Sequence, residues 1–215
     1  AQEDAAATIG NLAVASDARG AIGATDGVLE GLVSLLIKGS DKGRSDSAAA
    51  LGNLAVNAGI RGAILGIPQV LEGLRRMIQS TNSRHAAEAA CCLQNLAVSS
   101  NDMKIWMARS GDVLPGLVEL MSRVNAGGAE EEQAREDACS AVLNLVVGCG
   151  ENKRDVAALP GLITALTQCM GRDASTPRCK EHAAALVQNL AFNSPSSRAQ
   201  LLCAPDVLSC LSSLQ

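Results

Sequence analysis

The residues best equipped for chemistry in this 215-residue chain are two histidines, His85 and His182, and eight cysteines. An imidazole beside a thiol or hydroxyl makes a nucleophile and its base, and thiolates grouped with imidazoles hold zinc. Neither arrangement is spelled out. The histidines stand near the starts of two different helical patterns, roughly two repeat units apart, so no Ser/His/Asp or Cys/His grouping survives. Cys91 and Cys92 are adjacent, no C-x-x-C pair occurs, and the other cysteines sit within helical patterns. They read as small apolar fillers kept reduced, which points to an intracellular protein, cytoplasmic first. Gly148-Cys149-Gly150-Glu151-Asn152-Lys153 resembles a phosphate loop only superficially. It follows a helix and lacks the Gly-Lys-Ser/Thr ending. No catalytic residue, metal site or cofactor is expected, and the chain reads as a non-enzyme.

The asparagines are more informative. Asn-Leu-Ala occurs at Asn11, Asn53, Asn95 and Asn189, with the variant Asn144-Leu145-Val146 between the last two; successive asparagines are 42, 42, 49 and 45 residues apart. A second marker follows each one: Val28-Leu29-Glu30-Gly31-Leu32, Val70-Leu71-Glu72-Gly73-Leu74, Val113-Leu114-Pro115-Gly116-Leu117, Ala158-Leu159-Pro160-Gly161-Leu162 and Val207-Leu208-Ser209-Cys210-Leu211. An amide offers a donor and an acceptor together, which is what a peptide group needs.

Positioning such a row takes helices. Each unit reads as three of them. The helix carrying Asn is rich in Ala, with Ala48, Leu51, Leu54 and Ala55 on one stripe. A short helix follows, opened by a basic residue with an apolar one three positions on: Arg19/Ile22, Arg61/Ile64, Lys104/Met107 and Arg198/Leu201, with Arg154/Val156 as a shifted version. A longer helix with a wide apolar face completes the unit, as in Val70, Leu71, Leu74, Met77 and Ile78, or Val28, Leu29, Leu32, Leu35 and Leu36. Gly27, Pro68, Gly111 and Pro205 mark the turns that lead into it. Ser122 to Arg135 and Gly171 to Lys180 read as long exposed connections. No unit could bury these faces alone, because ordering each residue costs about 1–2 kcal/mol; stacking in series supplies the missing buried area.

Composition agrees. Hydrophobic residues make up 47% of the chain but aromatics only 1%, too few rings for one globular centre and enough aliphatics for thin helical layers. The net charge of −4 and the lack of stacking rings argue against nucleic acid. No run of 18 apolar residues exists, so no membrane span is expected.

The run Ala48-Ala49-Ala50-Leu51-Gly52-Asn53-Leu54-Ala55, followed by Arg61-x-x-Ile64 and Pro68-x-Val70-Leu71-x-x-Leu74, resembles the armadillo repeat, and the resemblance extends over essentially the whole chain. HEAT repeats lack the short first helix and the Asn-Leu-Ala signature. The resemblance implies an all-α, right-handed superhelical solenoid over residues 1–215. It would comprise the third helix of a first repeat, four complete repeats, and the first and second helices of a last one. It also implies a groove lined by third helices in which Asn11, Asn53, Asn95, Asn144 and Asn189 meet the backbone of a bound segment. The competing reading of these asparagines is that each ties its helix to a neighbouring backbone.

The sequence departs from the nuclear-import receptors of that family. They place a Trp four residues before the ladder Asn, and here those positions are Ala7, Ala49, Cys91, Ser140 and Ala185. The aromatic wall that sandwiches basic side chains is missing; a smooth floor of small residues suits a helix or another subunit's surface. Seven residues before each Asn stand Asp4, Asp46, Glu88, Asp137 and His182. Four acids in five units form a column that would favour a basic segment, or would simply face the helix dipole in each first turn. The expected role is thus an adaptor that captures a protein or peptide segment, with a structural subunit of a larger multi-protein assembly as the alternative.

Overall fold

The computed structural model describes residues 2–123, 128–171 and 176–213. Among them are fifteen helices and no strand. Helix α1 (Gln2–Leu12) is followed by a recurring triplet of short, intermediate and long helices. The triplets are α2 (Ala18–Gly23), α3 (Val28–Lys38) and α4 (Asp41–Ala55); α5 (Ala58–Gly66), α6 (Val70–Ile78) and α7 (Ser83–Leu96); α8 (Asn101–Arg109), α9 (Val113–Ser122) and α10 (Ala129–Val146). After them come α11 (Gly150–Ala157), α12 (Leu162–Met170) and α13 (Pro177–Ala191), then α14 (Pro195–Leu202) and α15 (Pro205–Ser212).

Local chemistry sets the helix starts. The Ser40 hydroxyl accepts from the Gly43 N–H, Asn82 from Arg84 and His85, and Thr176 from Cys179 with Pro177 behind it. These caps satisfy donors that a helix leaves open at its first turn. The turn into the intermediate helix uses a left-handed residue at Gly27 (φ 77°) and Gly161 (φ 83°), and at Gln69 (φ 69°) rather than its neighbour Pro68.

Packing is between triplets as much as within them. The long helices α1, α4, α7, α10 and α13 stack side by side in chain order, and α3, α6, α9, α12 and α15 form a parallel row. Ala48, Leu51, Leu54 and Ala55 are all fully buried, as are Val70, Leu74 and Ile78. Small residues let the rows close up: a Cβ on Gly52 would stand 3.3 Å from the Cα of Cys92, and one on Gly73 would stand 2.8 Å from both Leu36 and Ile37. This is an all-α repeat solenoid.

Two expectations are corrected here. The connections before α10 and α13 are short, because the long helices begin early. Glu130, Glu131 and Glu132 form the first turn of α10, where acids are favoured by the helix dipole, and Arg135 is buried with Nη2 2.5 Å from the Arg123 carbonyl. Residues 124–127 and 172–175 of the expected connections lie outside the described residues. The basic residue of the fourth short helix is Lys153, not Arg154. Lys153 is buried and three residues before the buried Val156, so it keeps the spacing of the other units, while Arg154 is exposed.

Candidate functional site

Each long helix carries one stripe: an acid (His182 in α13), then the small residue, then the asparagine, and just past the helix end an apolar side chain three positions beyond. Asn53, Asn95, Asn144 and Asn189 are half-buried and Asn11 is exposed. The amide Nδ2 of Asn53 donates to the Gly10 carbonyl at 3.0 Å, that of Asn95 to Gly52 at 3.0 Å, and that of Asn144 to Gln94 at 3.1 Å. In all three the acceptor is the residue just before the preceding asparagine. It lies in the last turn of its helix, whose carbonyls have no partner within the helix. One amide hydrogen thus ties each long helix to the one before it. Asn189 breaks the pattern, donating to Ala185 within its own helix at 2.9 Å.

The column seven residues upstream is placed differently from expectation. Asp4 is in the first turn of α1, but Asp46 and Glu88 are each the sixth residue of their helices and Asp137 the ninth. A helix dipole acts mainly within the first turn, so it does not account for these three carboxylates. Asp46 is balanced by Lys42 at 2.7 Å and, more weakly, by Arg84 at 3.9 Å. Burial holds the Glu88 carboxyl above the usual range. Burial pushes Asp137 up to about 6; a Gln133 hydrogen bond and the Arg178 charge oppose this, and Glu136 and Glu88 add to it. Glu136 itself is engaged by Thr176 at 2.5 Å and Arg178 at 3.4 Å. His182 is half-buried, and its Nδ1 has no hydrogen-bond partner. The middle of the column, on α7 and α10, thus holds two carboxyls whose charged form burial disfavours, opposed by Arg84 at Glu88 and by Gln133 and Arg178 at Asp137.

The basic residues of the short helices turn out to be braces. Arg19 Nε donates to the Ala13 carbonyl at 2.7 Å, and Arg61 Nε to Ala55 at 2.7 Å. Arg61 also reaches Val56 (3.1 Å) in its own unit and Val98 (2.5 Å) in the next. Lys104 Nζ donates to Val147 at 2.7 Å, and Lys153 Nζ approaches the Phe192 carbonyl at 3.4 Å and lies 5.3 Å from its ring centre. Cations at helix C-termini meet unpaired carbonyls and the negative end of the dipole. The residues so held form a row that the sequence reading passed over: Val14, Val56, Val98, Val147 and Phe192, exposed by 65, 44, 48, 43 and 65%. Their positions repeat at the same intervals as the asparagines, which was the available signal.

Among the described residues, the histidines and the segment 148–153 do not come together. His85 is buried with Nε2 3.0 Å from the Asp41 carbonyl, and α10 separates its helix from that of His182. Gly148 to Lys153 forms the turn and first residues of α11. Among the described residues no group of His, Cys, Asp and Glu could hold a metal ion. Cys139, Cys169 and Cys179 meet in the interior between α10, α12 and α13. Hydrogen bonding between Cys139 and Cys169 pushes the Cys169 thiol well up, and that between Cys169 and Cys179 does the same to Cys179, with burial adding to each. Burial raises Cys91 to about 12. Thiols so shifted are poor nucleophiles. A cleft of about 880 Å³ lies at the α1/α3 end, lined by Ala5, Ile9, Val28, Gly31 and Leu35. The corresponding residues of the next unit, Ser47, Leu51, Val70, Gly73 and Met77, are buried.

No protein-family model and no curated protein matches the chain. Solved structures do. An engineered protein superposes with a TM-score of 0.87 at 25% identity over 99% of this chain and 84% of its own. A computationally designed armadillo repeat protein for modular peptide recognition gives 0.83 at 20% identity over 98% and 84%. A designed armadillo repeat protein in complex with the peptide (KR)4 gives 0.81 at 20% identity over 99% and 84%. The repeat solenoid is of the armadillo type. No described helix is long and apolar enough to cross a membrane.

Proposed function

We propose that the chain is a non-enzymatic protein-interaction scaffold that captures a partner segment along the open face of its long helices. In this reading it acts as one array from α1 to α15: a leading long helix, four complete repeats and two helices of a last repeat. The observation that carries the proposal is the column of Asp46, Glu88 and Asp137 on the same face as the asparagine row, with the Glu88 and Asp137 carboxyls in surroundings that disfavour their charge. A buried carboxylate destabilises a fold unless something pairs with it, and an incoming cation would relieve that cost. The Asn53, Asn95 and Asn144 amides each use one hydrogen toward the neighbouring helix and retain the carbonyl oxygen and second hydrogen for a ligand backbone. The designed neighbours for peptide recognition, one of them with a Lys/Arg peptide, make a basic segment a reasonable occupant.

The test replaces Asp46, Glu88 and Asp137 by Asn, Gln and Asn, which preserves shape while removing charge. Partners recovered by wild type should be lost, and the salt dependence of the interaction should flatten, with the circular dichroism spectrum unchanged. Equal recovery and an equal salt slope would reject the acidic face as the site.

The cleft between α1 and α3 favours a second reading, in which the solenoid is a structural subunit that packs against another component there. Filling it by Gly31→Leu would then abolish assembly and leave capture along the long helices intact.

A further inference from the structure

The exposed apolar row supplies what the scaffold reading leaves open, the shape of the occupant. Isolated surface valines need no explanation, but an exposed apolar side chain recurring at the same position in five units is a regular feature. It is also pre-shaped. The backbone at Val56 and Val98 is held by Arg61, at Val147 by Lys104, and at Phe192 by Lys153, so the row runs across the repeat joints on fixed supports. Fixed supports spare a ligand the cost of ordering its site.

Two dimensions select the ligand. Neighbouring packed helices lie about 8–10 Å apart, so the row presents an apolar side chain at about that interval. An α-helix returns to the same face every seven residues, about 10.5 Å. An extended strand returns every two, about 6.7 Å, and falls out of step after one unit. Across the face, Asp46 and Val56 are ten residues apart on one stripe, about 15 Å along the axis. The small side chains Ala49, Cys91 and Ala185 leave the space between acid and apolar rows low. A helix about 10–12 Å wide fills that space and reaches the acids with its long side chains.

We infer that the open face of the long helices binds a basic amphipathic α-helix laid across the repeats. Its apolar stripe rests on Val56, Val98, Val147 and Phe192, and its Lys and Arg side chains point toward Asp46, Glu88 and Asp137. The inference rests on the scaffold reading above and commits it to a helical ligand with a heptad spacing of apolar residues. Charge complementarity sets the orientation: the partner's cationic edge lies toward the N-terminal ends of the long helices and its apolar edge toward their C-terminal ends.

Three synthetic peptides of about four heptads test it. The first has Leu at one heptad position, further apolar residues beside it on the same stripe, and Lys along one flank. The second has the same composition with apolar and Lys residues alternating, which favours an extended chain. The third is the first with every Lys replaced by Glu. Fluorescence anisotropy with the full chain should show the first binding at least tenfold tighter than either of the others. Val56→Ser/Val98→Ser should weaken it at least tenfold without changing the thermal melt, since both side chains are exposed. Binding of the alternating peptide as tightly as the helical one overturns the inference, as does indifference to the valine substitutions. Failure of the helical peptide to bind at about 0.1 mM, the edge of useful affinity, also overturns it. Partner capture still lost on neutralising the acids would in that case leave the scaffold reading standing.

Discussion

At the residue scale the asparagines have a structural duty whatever else they do. Asn53 and Asn95 each supply a hydrogen bond to a carbonyl in the last turn of the preceding long helix, at Gly10 and Gly52, both in buried positions. Removing the donor strands an acceptor, which costs about 1–3 kcal/mol when water cannot replace it. Asn53→Ala and Asn95→Ala should therefore lower the urea midpoint clearly. Asn189→Ala should lower it far less, because its bond stays within one helix turn. Equal effects at all three positions would show that the inter-helix bonds contribute nothing special. The same reasoning makes these substitutions poor probes of binding on their own.

Asp137 carries a pH prediction. Its carboxyl titrates at about 6 in the fold against an ordinary 3.8, because burial disfavours the charge. The folded state then holds a proton that the unfolded chain has released, so this residue makes stability fall as pH rises from about 4 to 6, by up to about 3 kcal/mol. Glu72 works in the opposite direction and in another window. Arg75 and Arg76 hold it at about 2, so its contribution is present above 4.5 and lost as pH falls toward 2. Urea midpoints measured between pH 4 and 7 should decline for wild type and decline distinctly less for Asp137→Asn, the remainder coming from Glu88, whose carboxyl burial also raises.

At the scale of elements, two glycines in equivalent positions of α3 and α6 should respond oppositely to one substitution. Gly31 has no atom within 4 Å of an added Cβ, whereas Gly73 has Leu36 and Ile37 at 2.8 Å. Alanine favours a helix over glycine by about 1 kcal/mol, so Gly31→Ala should raise the melting temperature. At Gly73 the same gain meets overpacking of about 1–3 kcal/mol, and the melt should fall. Equal shifts would mean that the helix rows are not packed as described.

Helices and their buried faces were legible in the sequence because burial repeats with the helical period. Ala48, Leu51 and Leu54 announce a buried stripe whatever their neighbours are. The apolar row Val14, Val56, Val98, Val147 and Phe192 repeats just as regularly. It was not legible as a surface because an apolar residue after a helix looks the same in sequence whether it is covered or open. Composition also misled at Glu130 to Glu132, where acids suggest a solvated connection but form a favourable first helix turn. Lys153 and Arg154 differ only in which one faces inward, and that is fixed by packing against Phe192, a residue of the next unit.

At the scale of the whole molecule, each repeat contacts only its neighbours, so stability is distributed as a sum of joints rather than a single core. The joints are not equal. The long helices α4, α7 and α10 are each tied back by an asparagine bond, and close glycine approaches bring α4 against α1 and α7. At α13 that bond is replaced by one within the helix, and the brace from Lys153 is longer, at 3.4 Å against 2.7 Å for Lys104. Beyond it, α14 buries Ser197 and Leu201 and α15 buries only Val207. Few buried apolar contacts mark a segment that opens below the global unfolding free energy. Hydrogen exchange should accordingly find α13 to α15 opening together and earlier than α4 to α10, with α7 protected longest. The same measurement in the presence of the helical peptide should slow exchange along α13, because a ligand resting on Phe192 spans the weakest joint. Uniform protection from α4 to α15 without ligand would show that the array unfolds as one unit, and that the missing asparagine bond has no mechanical consequence.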